Sequence, residues 1–156
     1  MKKETYIVLD NIRSTYNVGS IFRTADGAGV DKIFLVGYTP APVDRFGREQ
    51  PEIHKTALGA EKTIEWESVS DMEKLIERLK KENVYVVAVE QHKKSISYRD
   101  FLSKEKTAYI FGNEVDGVSN LICEQADTVI EIPMYGKKES LNVGVSAGVI
   151  VFGLKQ

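Results

Sequence analysis

Side chains able to do chemistry gather at three places in this chain. The first runs Asn17-Val18-Gly19-Ser20-Ile21-Phe22-Arg23-Thr24, with an amide and a guanidinium near two helical turns apart. The second is Gly112-Asn113-Glu114-Val115-Asp116-Gly117-Val118-Ser119. There Gly112 lets a ligand approach the backbone closely, and Glu114 places an acid at a sheet edge. The third is Ile132-Pro133-Met134-Tyr135-Gly136, three charged residues, then Ser140-Leu141-Asn142-Val143-Gly144. Ser140 and Asn142 are residue types that bond the free N–H groups of a helix start. Each cluster has a plain structural use as well. Asn17 can cap a helix, Arg23 can be a surface cation, the Gly112 segment can be a turn, and Ser140 can be an ordinary cap. Taken singly, none of the three decides between ligand site and scaffold.

Composition removes several kinds of chemistry. The formal net charge of −2 over 156 residues excludes a chain that binds nucleic acid through bulk charge, so a polyanion would need a local basic patch. The single Cys123 excludes an intrachain disulfide and a Cys-rich metal site, and His54 and His92 lack ligand spacing. No bound metal is expected. The N-terminus has no signal-peptide pattern. The apolar C-terminal run is shorter than the roughly 18 residues of a membrane span and is interrupted by Gly144, Gly148 and Gly153. A cytoplasmic protein without a membrane span is the expectation.

The elements that must position the three clusters alternate in type. Tyr6–Leu9 reads as a buried strand, Asn17–Ala28 as a helix with Val18, Ile21, Phe22 and Ala25 inward, and Lys32–Val36 as a second strand. A polar loop with Pro40 and Pro42 continues to Arg48. Thr63–Glu67 alternates like a strand with one wet face, and Ser70-Asp71-Met72-Glu73 suggests a capping box before a helix carrying Leu75, Ile76 and Leu79. Tyr85–Val89 and Thr107–Phe111 are apolar strands, Ser119–Ala126 a short helix, and Thr128–Ile132 a last strand. From Leu141 onward the final helix is apolar on every side, so its whole circumference must be covered. Strands apolar on both faces and alternating with helices indicate an α/β domain: a mostly parallel sheet with helices on both faces. Ligands of such sheets bind beyond the carboxyl ends of the strands.

Order and internal spacing join the clusters into one pattern. It resembles the three motifs of the SpoU/TrmH-type RNA ribose 2′-O-methyltransferases of the SPOUT class. Asn17, Gly19 and Arg23 match the form N-x-G-x-x-x-R. Gly112 and Glu114 match a G-x-E core followed by Gly117-Val118-Ser119. Ile132 to Val143 matches I-P-M-x-G-x-x-x-S-L-N-V throughout. The resemblance runs from about Tyr6 to Leu154, the length of a bare catalytic domain. Gly144 and Ser146 depart from it, standing where relatives often carry Ser then Ala. It implies a single catalytic domain over residues 1–156, with no separate RNA-binding domain.

The resemblance further implies a C-terminal trefoil knot, which nothing in periodicity shows. It implies S-adenosylmethionine bound in the knot, with Gly112, Ile132 and Leu141 at the cofactor and Met134 and Asn142 nearby. The implied reaction is methylation of a ribose 2′-hydroxyl in structured RNA, with tRNA slightly favoured over rRNA. Arg23 would act on the hydroxyl or clamp a neighbouring phosphate. Asn17 and Glu114 would orient Arg23 or the ribose, and Ser140 and Asn142 would complete the pocket. Relatives are homodimers, so the C-terminal helix would be buried against a second copy. Arg13, Arg45, Arg48, Lys55, Lys137 and Lys138 are candidates for RNA phosphate contact. Two alternatives remain open at this level: a knotted RNA-binding protein without activity, and a base-methylating enzyme of the same class.

Overall fold

The structure is a computed structural model that describes residues 2–154. Its frame is a sheet of strands β1 (Glu4–Asp10), β2 (Lys32–Val36), β3 (Glu65–Val69), β4 (Tyr85–Val89), β5 (Ile96–Ser97), β6 (Lys106–Phe111) and β7 (Thr128–Glu131). The order across the sheet is β3-β2-β1-β6-β4-β7-β5, and each pairing between these strands is parallel. The apolar runs at Tyr6–Leu9, Lys32–Val36, Tyr85–Val89 and Thr107–Phe111 therefore form the centre, as two-sided burial requires.

Helices are α1 (Thr15–Ala28), α2 (Pro51–Ala57), α3 (Ala60–Thr63), α4 (Met72–Lys81), α5 (Asn120–Gln125) and α6 (Val143–Gly153). Ile7, Leu9, Tyr109 and Phe111 point to a core layer shared with Val18, Ile21 and Phe22 of α1 and Ala147 and Ile150 of α6. The alternate residues Val8, Ala108 and Ile110 point to a second layer with Leu75, Ile76 and Leu79 of α4 and Ile122 and Cys123 of α5. The period-two alternation of each central strand thus fills both layers.

Several local expectations need correction. Asn17 does not cap α1. Ser14 does, accepting a hydrogen bond from Asn17 N at 3.1 Å, and Asn17 is buried in the first turn. Asp71 caps α4 and accepts from Lys74 N, so the Ser70/Glu73 capping box does not form. The wet strand begins later, at Glu65, because Ala60–Thr63 is a turn of helix. Helix α2 escapes notice in the sequence since its inward residues, Ile53 and Ala57, are a single pair four apart. It docks tightly on α1 because residue 19 is glycine: a Cβ there would lie 1.9 Å from Thr56 Oγ1 and 2.6 Å from the Ile53 carbonyl oxygen. Finally, α6 is not covered all round within one chain. Val145 is 52% and Phe152 55% exposed, on the side away from the core.

Candidate active site

Beyond the carboxyl ends of β4, β6 and β7 opens a cleft of about 730 Å³. Its lining includes Gly112, Glu114, Ile132, Met134, Ser140, Leu141 and Asn142, so the second and third sequence clusters meet there. Apolar surface comes from Val89, Phe111, Val118, Ile132, Met134 and Leu141, and polar groups ring it.

Two contacts tie the first cluster to the other two. The Glu114 carboxylate accepts from the backbone N–H groups of Arg13 (3.2 Å) and Ser14 (3.3 Å), which lead into α1. A carboxylate there satisfies donors that no helical carbonyl reaches and lies at the positive end of the helix dipole. At the start of α6, Asn142 Oδ1 accepts from Gly144 N (2.8 Å) and Val145 N (3.3 Å), while its amide donates to Asn17 Oδ1 at 3.3 Å. Asn142 is therefore the cap; Ser140 lies ahead of the helix, exposed in the cleft wall.

Arg23 departs from expectation. It is exposed and does not line the cleft of its own chain. Six residues past Asn17 is about 9 Å along the axis and off its face, which explains the separation. Arg23 shares the outer face of α1 with Tyr16 and Gly27, beside α6: a Cβ on Gly27 would lie 3.4 Å from the Phe152 ring. Arg23 thus lies one turn before the position that faces Phe152 of the last helix.

Gly112 lines the cleft and has a use within the chain as well. A Cβ at this position would fall 2.2 Å from the Gly117 carbonyl carbon and 2.4 Å from Val118 N. The close approach is made by the chain's own loop, folding back over the end of β6. Asn113 holds that fold, accepting from Val115 N (2.8 Å) and Asp116 N (3.1 Å) and donating to the Asn11 carbonyl (2.8 Å) and the Tyr38 hydroxyl (2.6 Å).

One segment of the site was not singled out from sequence: Glu90-Gln91-His92, leaving β4. Glu90 accepts from Val118 N (2.7 Å) and Gln91 N (2.8 Å), the Gln91 amide donates to the Glu139 carbonyl, and His92 Nε2 bonds Asn120 Oδ1 (2.7 Å). Three consecutive side chains thus fasten two separate parts of the rim, Val118–Asn120 and the loop at Glu139. Their only sequence signal is a switch from an apolar strand to polar residues at Val89/Glu90.

The basic candidates scatter. Lys137 and Lys138 are exposed on the Pro133–Asn142 loop and Lys55 on α2, none lining the cleft. Arg13 lies at the foot of α1, where the Tyr38 hydroxyl and then nearby acids hold its guanidinium still more firmly in the charged form. Arg45 and Arg48 flank Phe46 on the loop after β2. Burial, then Glu90 and Glu124, push the Cys123 thiol up, so it is no nucleophile. Among the described residues no group of three His, Cys, Asp or Glu side chains is placed to hold a metal ion, and no helix is long and apolar enough to cross a membrane.

Comparison with known proteins agrees with this geometry. The model of the SpoU rRNA Methylase family matches residues 4–152. The chain is 32% identical over 145 residues to the 23S rRNA (guanosine-2′-O-)-methyltransferase RlmB of Neisseria meningitidis, covering 93% of this chain and 55% of that protein. A putative TrmH family tRNA/rRNA methyltransferase of Staphylococcus haemolyticus is 32% identical, covering 95% of this chain and 57% of the relative. The chain thus spans little more than half the length of these curated relatives. Among solved structures, the AdoMet-bound rRNA methyltransferase of Sinorhizobium meliloti superposes with a TM-score of 0.85 at 30% identity, over 97% of this chain and 56% of that one. The A. aeolicus TrmH/SpoU tRNA modifying enzyme gives 0.85 at 28%, over 99% and 75%. With its fold, its three clusters and nearly its whole length accounted for by one family model, this chain belongs to the SpoU rRNA methylase family.

Proposed function

We propose that this chain supplies the catalytic domain of an S-adenosylmethionine-dependent methyltransferase acting on a ribose 2′-hydroxyl of structured RNA. The observation that carries this reading is the meeting of the second and third clusters at one cleft, with the start of α1 tied to it by Glu114 on Arg13 and Ser14 and by Asn142 on Asn17. The cleft suits the cofactor. Its 730 Å³ falls in the usual range of about 300–1,000 Å³ for small-ligand pockets. Its apolar walls and ring of polar groups match an adenine and a charged tail. Gly112, Ile132 and Leu141 would hold the cofactor, with Met134 and Asn142 beside them. When bound it supplies an activated methyl carbon.

The rest of the chemistry falls to the protein. A sugar hydroxyl is a poor nucleophile, and charge grows on its oxygen as its proton passes to solvent water. Arg23 steadies that charge while gripping the neighbouring phosphate, a role suited to a permanently charged, forked donor. Asn17 and Glu114 act by fixing α1, and Ser140 and Asn142 border the ribose. Alignment of the two reactants alone can supply about 7–11 kcal/mol of the barrier, so the anchored loops matter as much as proton removal.

Arg23 lies outside its own cleft and one turn from Gly27, which faces Phe152 on the bare stripe of α6. A homodimer covering that stripe brings Arg23 to the second copy's cleft and completes both sites. A C-terminal trefoil knot belongs to the same reading. The substrate is an rRNA or a tRNA, since relatives are named for each, and the working compartment is the cytoplasm.

Transfer of labelled methyl groups to bulk rRNA and tRNA, with nuclease digestion and mass spectrometry, tests the proposal. Ribose-methylated nucleotides are expected; label on a base, or none despite cofactor binding by calorimetry, would refute it. Light scattering should give twice the chain mass, and a stable active monomer would remove the dimer.

A further inference from the structure

The loop after β2 holds an exposed ring in place with unusual care. Val43 and Glu49 form an antiparallel bridge, Asp44 N donates to the Arg48 carbonyl (2.9 Å), and Gln50 N to the Pro42 carbonyl (3.0 Å). Inside this small hairpin, Asp44 Oδ1 accepts from Phe46 N (2.8 Å) and Arg48 N (2.9 Å), and Oδ2 from Arg48 Nε (2.8 Å). The product of this ordering is Phe46, 67% exposed at the tip. Arg45 and Arg48 lie over its ring at 4.8 and 5.0 Å from the centroid.

An apolar ring fixed in water by a rigid turn and crowned by two cations calls for a partner with a flat π surface and negative charge. A nucleobase with its phosphates has both. Arg48 is anchored by Asp44, whereas among the described residues Arg45 forms no ion pair, so it can swing off the ring and leave one face to a base. The location fits. The hairpin grows from the carboxyl edge of the sheet, the edge bearing the cleft. Earlier in the same loop Tyr38, 54% exposed, is bonded to cleft-lining Asn113 and paired with Arg13. One loop leaving β2 thus carries two aromatic–arginine pairings, Tyr38 with Arg13 and Phe46 with Arg45 and Arg48.

We propose that the Val43–Glu49 hairpin is a base-stacking prong: Phe46 receives one unstacked base of the RNA, and Arg45 and Arg48 take the adjoining phosphates. It rests on the RNA methyltransferase reading and narrows it to a substrate whose modified ribose lies in an unpaired loop, not a continuous duplex. Bases in such loops are free to stack on protein rings, while those in a helix are not.

The test uses the full chain with an RNA stem-loop carrying 2-aminopurine in the loop, and the same strand annealed to its complement. Binding is followed by anisotropy and 2-aminopurine fluorescence, and methyl transfer is measured in parallel. Phe46→Ala should weaken stem-loop binding on the order of tenfold. Its KM for RNA should rise while kcat and cofactor affinity stay unchanged. Phe46→Trp should restore binding and Phe46→Leu should not. Arg45→Gln should reduce the slope of log affinity against log salt by about one.

Equal binding by wild type and Phe46→Ala, rescue by leucine, or equal preference for the duplex would overturn the prong. If the wild type methylates RNA in that case, the methyltransferase reading stands without it. Phe46-dependent binding with no methyl transfer would uphold the prong and sink the enzyme reading. Wild type that ignores RNA but binds phosphatidylglycerol vesicles through Phe46 would overturn the prong in favour of a lipid surface.

Discussion

Two concave, charged regions lie at opposite edges of the same sheet, and they are built differently. At the amino-terminal edge a hollow of about 410 Å³ is lined by residues including Glu4, Lys32, Glu65, Glu67 and Arg78. There, charged side chains spend themselves on one another. Arg78 grips Glu67 through two bonds (3.0 and 2.7 Å), and Lys32 lies 3.4 Å from Glu65 and 3.2 Å from Glu67. At the carboxyl edge the carboxylates of Glu90 and Glu114 and the amides of Asn113 and Asn142 bind backbone N–H groups of the loops. Among the described residues Arg23, Lys137 and Lys138 form no ion pair there. Side chains that saturate each other make a closed surface patch. Side chains that fix loops leave cations and cleft walls open to a ligand.

The comparison can be broken at either end. The largest effect is expected at Arg23: Arg23→Ala should lower methyl transfer by about 10²–10³-fold, in line with removal of one charge-stabilising donor. Cofactor affinity by calorimetry should be unchanged. Near-normal turnover would make this free cation no different from a solvated one. Asn142→Ala removes the α6 cap and leaves the buried Asn17 amide without that partner. We expect a loss of roughly 2 kcal/mol in urea unfolding, combining a cap with an unpaired buried group. An unchanged midpoint would contradict the link between the first and third clusters.

Glu90→Gln sharpens the contrast. A carboxamide offers one acceptor where two N–H groups now bind two oxygens, so the Gly112–Val118 loop loosens. Cofactor affinity should fall about tenfold, equivalent to one net hydrogen bond, with kcat for RNA less affected. Equal cofactor binding would make the Glu90–His92 segment a bystander. The smallest effect belongs to the opposite edge. The hydrogen bond from Arg78, then Lys32, holds the Glu67 carboxyl below the usual carboxylate range despite partial burial. Its stabilisation is therefore present above the titration of the unfolded chain and lost as pH falls through the folded value. Glu67→Gln should change stability at pH 7 by no more than about 1 kcal/mol, as for an exposed pair. It should flatten the acid limb of the stability profile and leave methylation untouched. A loss of activity would show that the two edges communicate.

Much of this was legible in the chain before folding. Apolar runs of strand length at Lys32–Val36 and Tyr85–Val89 coincide with β2 and β4, because burial on both faces leaves no room for polar alternation. The Gly112–Glu114 and Ile132–Asn142 clusters were legible as site-forming through their likeness to a family pattern, and the fold does gather them at one cleft. Less legible were α2, too short for its period to register, and Glu90, whose role depends on the Val118 N–H 28 positions away.

The sequence by itself determined the alternation of elements, the parallel sheet and the three clusters, since each depends on residue type and near-neighbour spacing. Only the tertiary structure decided what those residues touch. It turned Asn17 from a cap into a buried partner of Asn142, and gave Gly112 its own loop to seat as well as a place in the cleft wall. It also put Arg23 outside the cleft of its own chain. Such contacts join positions about a hundred residues apart, and no local spacing encodes a distance that the sheet order alone sets.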